Sequence, residues 1–149
     1  MNKKIILSVL VFLIYLAPAH AIDIYNCTVL DSPFTTYELQ NDVNSSVACF
    51  NITANNITLN CNGHNMEGLG DQFGIIIQGV NGTKITNCTT SGFTYGIYVY
   101  LAHDNEIYDT EAVQPSASGV QLYYSTNNLL HNISVHGSSG TGDEGIWLD

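Results

Sequence analysis

Asp143 and Glu144 stand side by side, and His136 lies a little upstream in the stretch "VHGSSG". Two carboxylates flanking a bond are the apparatus of glycoside hydrolysis, and they must sit about 5–9 Å apart across the substrate. Neighbours in an extended chain or turn point apart, so Asp143 and Glu144 read as solvated turn charges. His136 has no carboxylate at an evident matching spacing and reads as a loop histidine. Metal chemistry needs converging His, Cys, Met or carboxylate ligands. His64, His103, His131 and His136 fall at different points of the repeat described next. Met66 near His64 hints at a soft copper site, but one such pair does not complete a coordination shell. The expectation is no catalytic residue, no metal and no cofactor.

The aromatic residues are more regular. Gly74, Gly96, Gly119 and Gly145 are spaced by 22, 23 and 26 residues and open the runs "GIIIQ", "GIYVY", "GVQLY" and "GIWLD". The first and third residues after each glycine are aliphatic: Ile75 and Ile77, Ile97 and Val99, Val120 and Leu122, Ile146 and Leu148. Alternation sends those inward and the second and fourth outward. The outward columns are Ile76, Tyr98, Gln121, Trp147 and Gln78, Tyr100, Tyr123, Asp149. Tyr98, Tyr100, Tyr123 and Trp147 therefore share one face, with Gln121 among them. Flat rings beside amides suit sugar rings, whose apolar faces stack and whose hydroxyls bond to phenols and amides. Cross-strand ring pairing alone also explains such columns, as does a patch covered by another part of the protein.

These columns need strands to hold them. Ile85, Ile107 and Leu130 follow the first three glycines at a constant offset, and Asn87, Asp109 and Asn132 come two residues later. Turn-formers such as "VNGT", "HDNE" and "TNNL" separate the runs. A period near 23 with strands this short marks a solenoid, because only stacked copies bury the inward aliphatics. Leucine-rich and helical repeat patterns are absent. The reading is all-β: a parallel β-helix of about 22–26 residues per rung. Asn87, Asp109 and Asn132 are expected to stack at a turn. "FNITANNITLNCNGHNMEG" looks like an earlier rung of ambiguous register. Matching Cys61 to Cys88 aligns the asparagines, whereas matching Leu59 to Ile85 aligns the aliphatics. The expected organisation is a cap over residues 22–50 and rungs over 51–149, with the last copy cut short. Either the chain is a fragment, the favoured reading, or the open C-terminal edge pairs with a partner.

Residues 1–21 read as an export signal: Lys3 and Lys4, an apolar run from Ile5 to Ala17, and small residues at "AHA". An uncleaved anchor is the alternative. Residues 22–149 keep all 13 acidic residues against one base, Lys84, for a formal charge of −12. Such a surface repels nucleic acid, anionic lipid and, unless cations bridge them, polyanionic sugars. A secreted or cell-surface location follows, with no membrane span after signal cleavage. Four cysteines in an oxidising compartment suggest disulfides. Cys27–Cys49 is the preferred pair, with Cys61 and Cys88 free or paired. Seven Asn-x-Ser/Thr sequons occur, and Asn44 and Asn81, in turns, are the better glycosylation candidates.

The stretch "CFNITANNITLNCNGHNMEG" with "FGIIIQGVNGTKITNCTTSGFTYGIYVYLAHDNEIYDT" resembles the right-handed parallel β-helix repeat family. Within it the chain is similar to exported archaeal and bacterial members, pectin-lyase-like and NosD-type, grouped with carbohydrate-binding proteins and sugar hydrolases. The resemblance covers about residues 25–149. It implies a right-handed coil and leaves activity open, because that fold hosts lyases, hydrolases, adhesins and surface proteins. Pectate-lyase relatives use an arginine base, and this chain has no arginine. The aspartate and basic motifs of polygalacturonase-like hydrolases are also missing, although "VHGSSG" echoes their histidine loop. Two functions are carried forward. One is a non-catalytic exported module, a scaffold with a neutral-carbohydrate face. The other is the N-terminal part of a polysaccharide lyase or glycoside hydrolase whose site lies beyond residue 149.

Overall fold

The structure is a computed structural model that describes residues 21–69, 72–137 and 144–149. The expected export signal lies outside the described residues apart from Ala21, and so does Asp143. The strands in chain order are β1 (Ile22–Ile24), β2 (Thr28–Leu30), β3 (Thr36–Leu39), β4 (Val43–Ser45), β5 (Phe50–Ile52), β6 (Thr58–Asn60), β7 (Asn65–Gly68) and β8 (Phe73–Gln78). There follow β9 (Lys84–Thr86), β10 (Thr89–Ser91), β11 (Tyr95–Tyr100), β12 (Glu106–Val113), β13 (Ser118–Tyr123), β14 (Leu129–His136) and β15 (Glu144–Leu148). Among the described residues no helix is long and apolar enough to cross a membrane.

Every pairing between these strands is parallel. The chain winds into a solenoid of about five turns with three walls. The first wall is β1-β3-β6-β9, continued by the front halves of β12 and β14. The second is β4-β7-β10, continued by their back halves. The third is β2-β5-β8-β11-β13-β15. Inward columns form one core along the axis. Tyr37, Leu59, Ile85 and Ile107 line the first wall, and Val43, Met66, Thr90 and Ala112 line the second. Phe50, Ile75, Ile97 and Val120, with Leu30, Ile52, Ile77, Val99 and Leu122, line the third.

The glycine column has a steric cause. A Cβ on Gly96 would lie 2.5 Å from the Gly119 carbonyl oxygen, 2.6 Å from Thr90 Oγ1 and 2.9 Å from Ala112 Cβ. Gly74 and Gly119 are equally crowded. The second and third walls meet at this corner, and a side chain has no room there. Residues 22–50 lack the glycine column, yet their strands keep the coil's pairing. Ile22–Ile24 pairs with Tyr37–Leu39, and Thr28–Leu30 with Phe50–Ile52.

The early rung takes the aliphatic alignment, at an offset of 26 that becomes 24 past the bend, and Cys61 meets Cys88 only through their disulfide. Leu59 pairs with Ile85 within the strands. Beyond the strands, Asn62, Asn87, Asp109 and Asn132 all adopt left-handed φ, from 50 to 53°, as asparagine and aspartate do more readily than other side chains. The register changes across this bend because four residues separate β6 from β7 but only two separate β9 from β10. Asn132 bonds to Asp109, and Asn87 bonds to Asn60 at 3.1 Å. A second, internal ladder stands at the opposite bend. Buried Asn105 accepts from the Thr83 amide at 2.8 Å, and its own amide and side chain donate to Asn128 Oδ1 at 3.0 Å.

Two disulfides join successive turns: Cys27–Cys49, Cα atoms 4.5 Å apart, and Cys61–Cys88, 4.8 Å apart. They point to an oxidising environment.

Candidate functional site

The outer face of the third wall is built by alternation. Rungs about 4.8 Å apart put Tyr98 beside Ile76 and Gln121, Tyr100 beside Gln78 and Tyr123, and Trp147 beside Gln121. Tyr98, Tyr100, Tyr123, Trp147 and Gln121 are thus brought onto one half-exposed surface. Tyr98 and Tyr100 stack at 6.2 Å, Tyr100 and Tyr123 at 5.7 Å, and Tyr123 and Trp147 at 5.8 Å, with planes 16–22° apart.

Three more rings belong to this surface. Phe73 and Tyr95 stack at 5.3 Å, and Tyr98 leans on both, 4.9 and 5.5 Å away. Tyr124 lies 4.1 Å from Tyr123. The signal for Phe73 and Tyr95 was their place immediately before Gly74 and Gly96. Strict alternation counted through the glycine hides them, because Gly74 and Gly96 sit at the corner and reverse the parity: the residues on both sides of the strand pair, while the glycine turns inward. Tyr124 was hidden because it follows an outward residue and alternation would bury it.

The ladder rings are half-buried against one another, whereas Tyr124 is 56% exposed. From Val29 and Asn51 through Ile76, Tyr98, Gln121 and Trp147, the described outward side chains carry no charge until Asp149 at the far edge. The Tyr98 phenol is pushed up by burial, and then by Tyr100 and Tyr95. The Tyr123 phenol is pushed up to about 12, first by its hydrogen bond with the Tyr124 side chain, then by burial and by nearby Tyr124, Asp149 and Tyr100. The Gln121 side-chain oxygen is buried without a partner, so this amide oxygen is not offered to a ligand.

The polar clusters lie elsewhere. On the first wall Glu106 bridges two rungs, 2.9 Å from Lys84 Nζ and 3.4 Å from His131 Nε2. Lys84 first, then His131, holds the Glu106 carboxyl below its usual range. On the second wall His136 Nε2 is 3.5 Å from Glu111. That partner comes from the preceding rung, at a separation no local motif displays. Asp42 accepts from the Asn65 amide at 2.9 Å and pairs with His64 at 3.2 Å, which lowers its pKa. His64 thus meets a carboxylate, while Met66 is fully buried in the core. Among the described residues no three His, Cys, Asp or Glu side chains converge to hold a metal. Asn44 is exposed on β4. Asn81 is exposed too, but its side-chain oxygen accepts from the His103 amide at 2.8 Å.

No curated protein and no solved structure matches the chain. A family model described as a right handed beta helix region matches residues 73–148, just over half of the chain and the part that holds all of the aromatic surface. With the parallel three-walled coil and its glycine and asparagine columns, this match places the chain in the right-handed β-helix family.

Proposed function

We propose that the protein is the non-catalytic β-helix module of an exported protein, a rigid scaffold whose third wall holds a neutral polysaccharide. The observation that carries this reading is the continuous, uncharged surface of seven aromatic rings from Phe73 to Trp147. A glycan laid along the axis meets aromatic rings and phenols on successive rungs, Tyr98 and Tyr100, then Tyr123, then Trp147. The formal charge of −12 over residues 22–149 favours a neutral occupant over a polyuronate. Export is supported by the apolar N-terminal run behind Lys3 and Lys4 and by the two disulfides. The signal reading predicts Ile22 as the first residue of the exported protein, checked by N-terminal sequencing. The binding test is affinity electrophoresis through gels containing hydroxyethylcellulose, galactomannan or dextran. The parent is expected to be retarded in at least one gel, and Tyr98→Ala/Tyr100→Ala/Tyr123→Ala, folded by circular dichroism, is expected to migrate freely. A parent that runs freely in all three gels sinks the reading.

A further inference from the structure

The third wall ends in a bend whose residues fall five after each glycine: Gly79, Leu101 and Tyr124. All three are left-handed, with φ of 66, 49 and 49°. Glycine takes this conformation freely, but a bulky side chain does so only against steric resistance. Leu101 and Tyr124 nonetheless occupy it and are 48% and 56% exposed, so core packing does not account for their size. The conformation has one geometric consequence. Strand alternation would turn the residue after outward Tyr100 or Tyr123 toward the core. Left-handed φ instead keeps it on the outside, and Tyr124 comes to rest 4.1 Å from Tyr123 with its ring tilted by 35°.

We propose that Tyr124, with Leu101 one rung earlier, is the rim at which the neutral polysaccharide is gripped, and that Tyr124 supplies the ring face on which a sugar stacks. This rests on the wall reading above and adds the residues that set its affinity. The ladder rings are half-buried and flank one another at centroid distances of 5.3–6.2 Å. Tyr124 lies against Tyr123 and is still 56% exposed, which leaves it more ring surface to offer than the ladder residues. Leu101 and Tyr124 carry no charge, like the wall they border, which selects the same neutral ligand class.

The backbone makes the test clean, because glycine is the relaxed residue at this position. Leu101→Gly is expected to unfold in urea at the parent's midpoint or above it, and Tyr124→Gly, which relaxes the backbone but loses its contact with Tyr123, is expected to stay folded with a midpoint near the parent's. Tyr124→Gly is expected to weaken retardation in the polysaccharide gel that holds the parent by at least about tenfold in dissociation constant, and Leu101→Gly by a few-fold. Tyr124→Asn, which also tolerates left-handed φ, should match Tyr124→Gly, separating ring loss from added flexibility. Gln114→Gly relaxes another left-handed residue, at φ 52° in the bend after Val113, and should bind like the parent. If Tyr124→Gly binds like the parent while the triple ladder variant does not, the rim is wrong and the wall stands. A parent that binds none of the three polysaccharides overturns both.

Discussion

Glycine and tyrosine illustrate how single residues work in this coil. At Gly96 the limit is space, since an added Cβ meets a carbonyl oxygen and two side chains within 3 Å. Gly96→Ala is expected to cost about 2–3 kcal/mol, at the upper end of overpacking effects, measured by urea unfolding. At Gly79 the limit is φ, with nothing within 4 Å of the added atom. Gly79→Ala should cost only about 1 kcal/mol. The glycine column was visible as spacing, but its reason was not, because the crowding atoms come from two other rungs and another wall. Tyr123 makes a pH prediction. Its phenol rises from 10.0 to about 12 on folding. Its stabilising contribution is therefore complete below pH 10 and is lost as pH climbs through about 12. The melting temperature of the parent should fall more steeply between pH 10 and 12 than that of Tyr123→Phe.

At the scale of elements, each strand is three to eight residues long and has no partner within its own rung. Stability comes from stacking, rung on rung. The disulfides reinforce that stacking by tying residues 22 and 27 apart in sequence. Closing loops of this length is worth about 3 kcal/mol each in the chain-entropy account. Cys61 and Cys88 are both fully buried, whereas Cys27 is only partly so. Cys61→Ala/Cys88→Ala should therefore lose more than Cys27→Ala/Cys49→Ala, because it also opens a gap in the core. Urea midpoints of the two double variants decide the order. The third-wall strands from Phe73 on and the first-wall column Ile85, Ile107 and Leu130 were legible from glycine spacing and alternation, whereas the second-wall strand Thr89–Ser91 was not, having no aliphatic residue to mark it. The strands of residues 22–50 were not, since without the glycine column their short apolar runs have no period to betray them.

The whole molecule is a rod with an uncharged aromatic wall on a strongly acidic body. The charge matters for which ligands approach, and the wall matters for which ones stay. Raising salt from about 0.1 to about 1 M shrinks the screening length from about 10 Å to about 3 Å. Retardation by a neutral polysaccharide should change by less than about twofold over that range, because no ion pair forms. A polygalacturonate gel should leave the protein's mobility unaltered at the lower salt. Strong salt dependence of neutral-glycan binding would place the contact away from the third wall.

The sequence by itself determined the all-β coil, its period, its inward and outward columns and the four rings Tyr98, Tyr100, Tyr123 and Trp147. Those features depend only on alternation and repeat length, which are local properties of an extended chain. Tertiary structure decided what depends on contacts between rungs and on bends. It added Phe73, Tyr95 and Tyr124 to the face, because parity reverses at a corner glycine and fails at a left-handed residue. It gave His136 its Glu111 neighbour and Glu106 its Lys84 and His131 partners, because stacking sets side by side residues more than 20 positions apart. It also set Tyr100 against Tyr123 and Tyr123 against Trp147, because stacking brings successive rungs together.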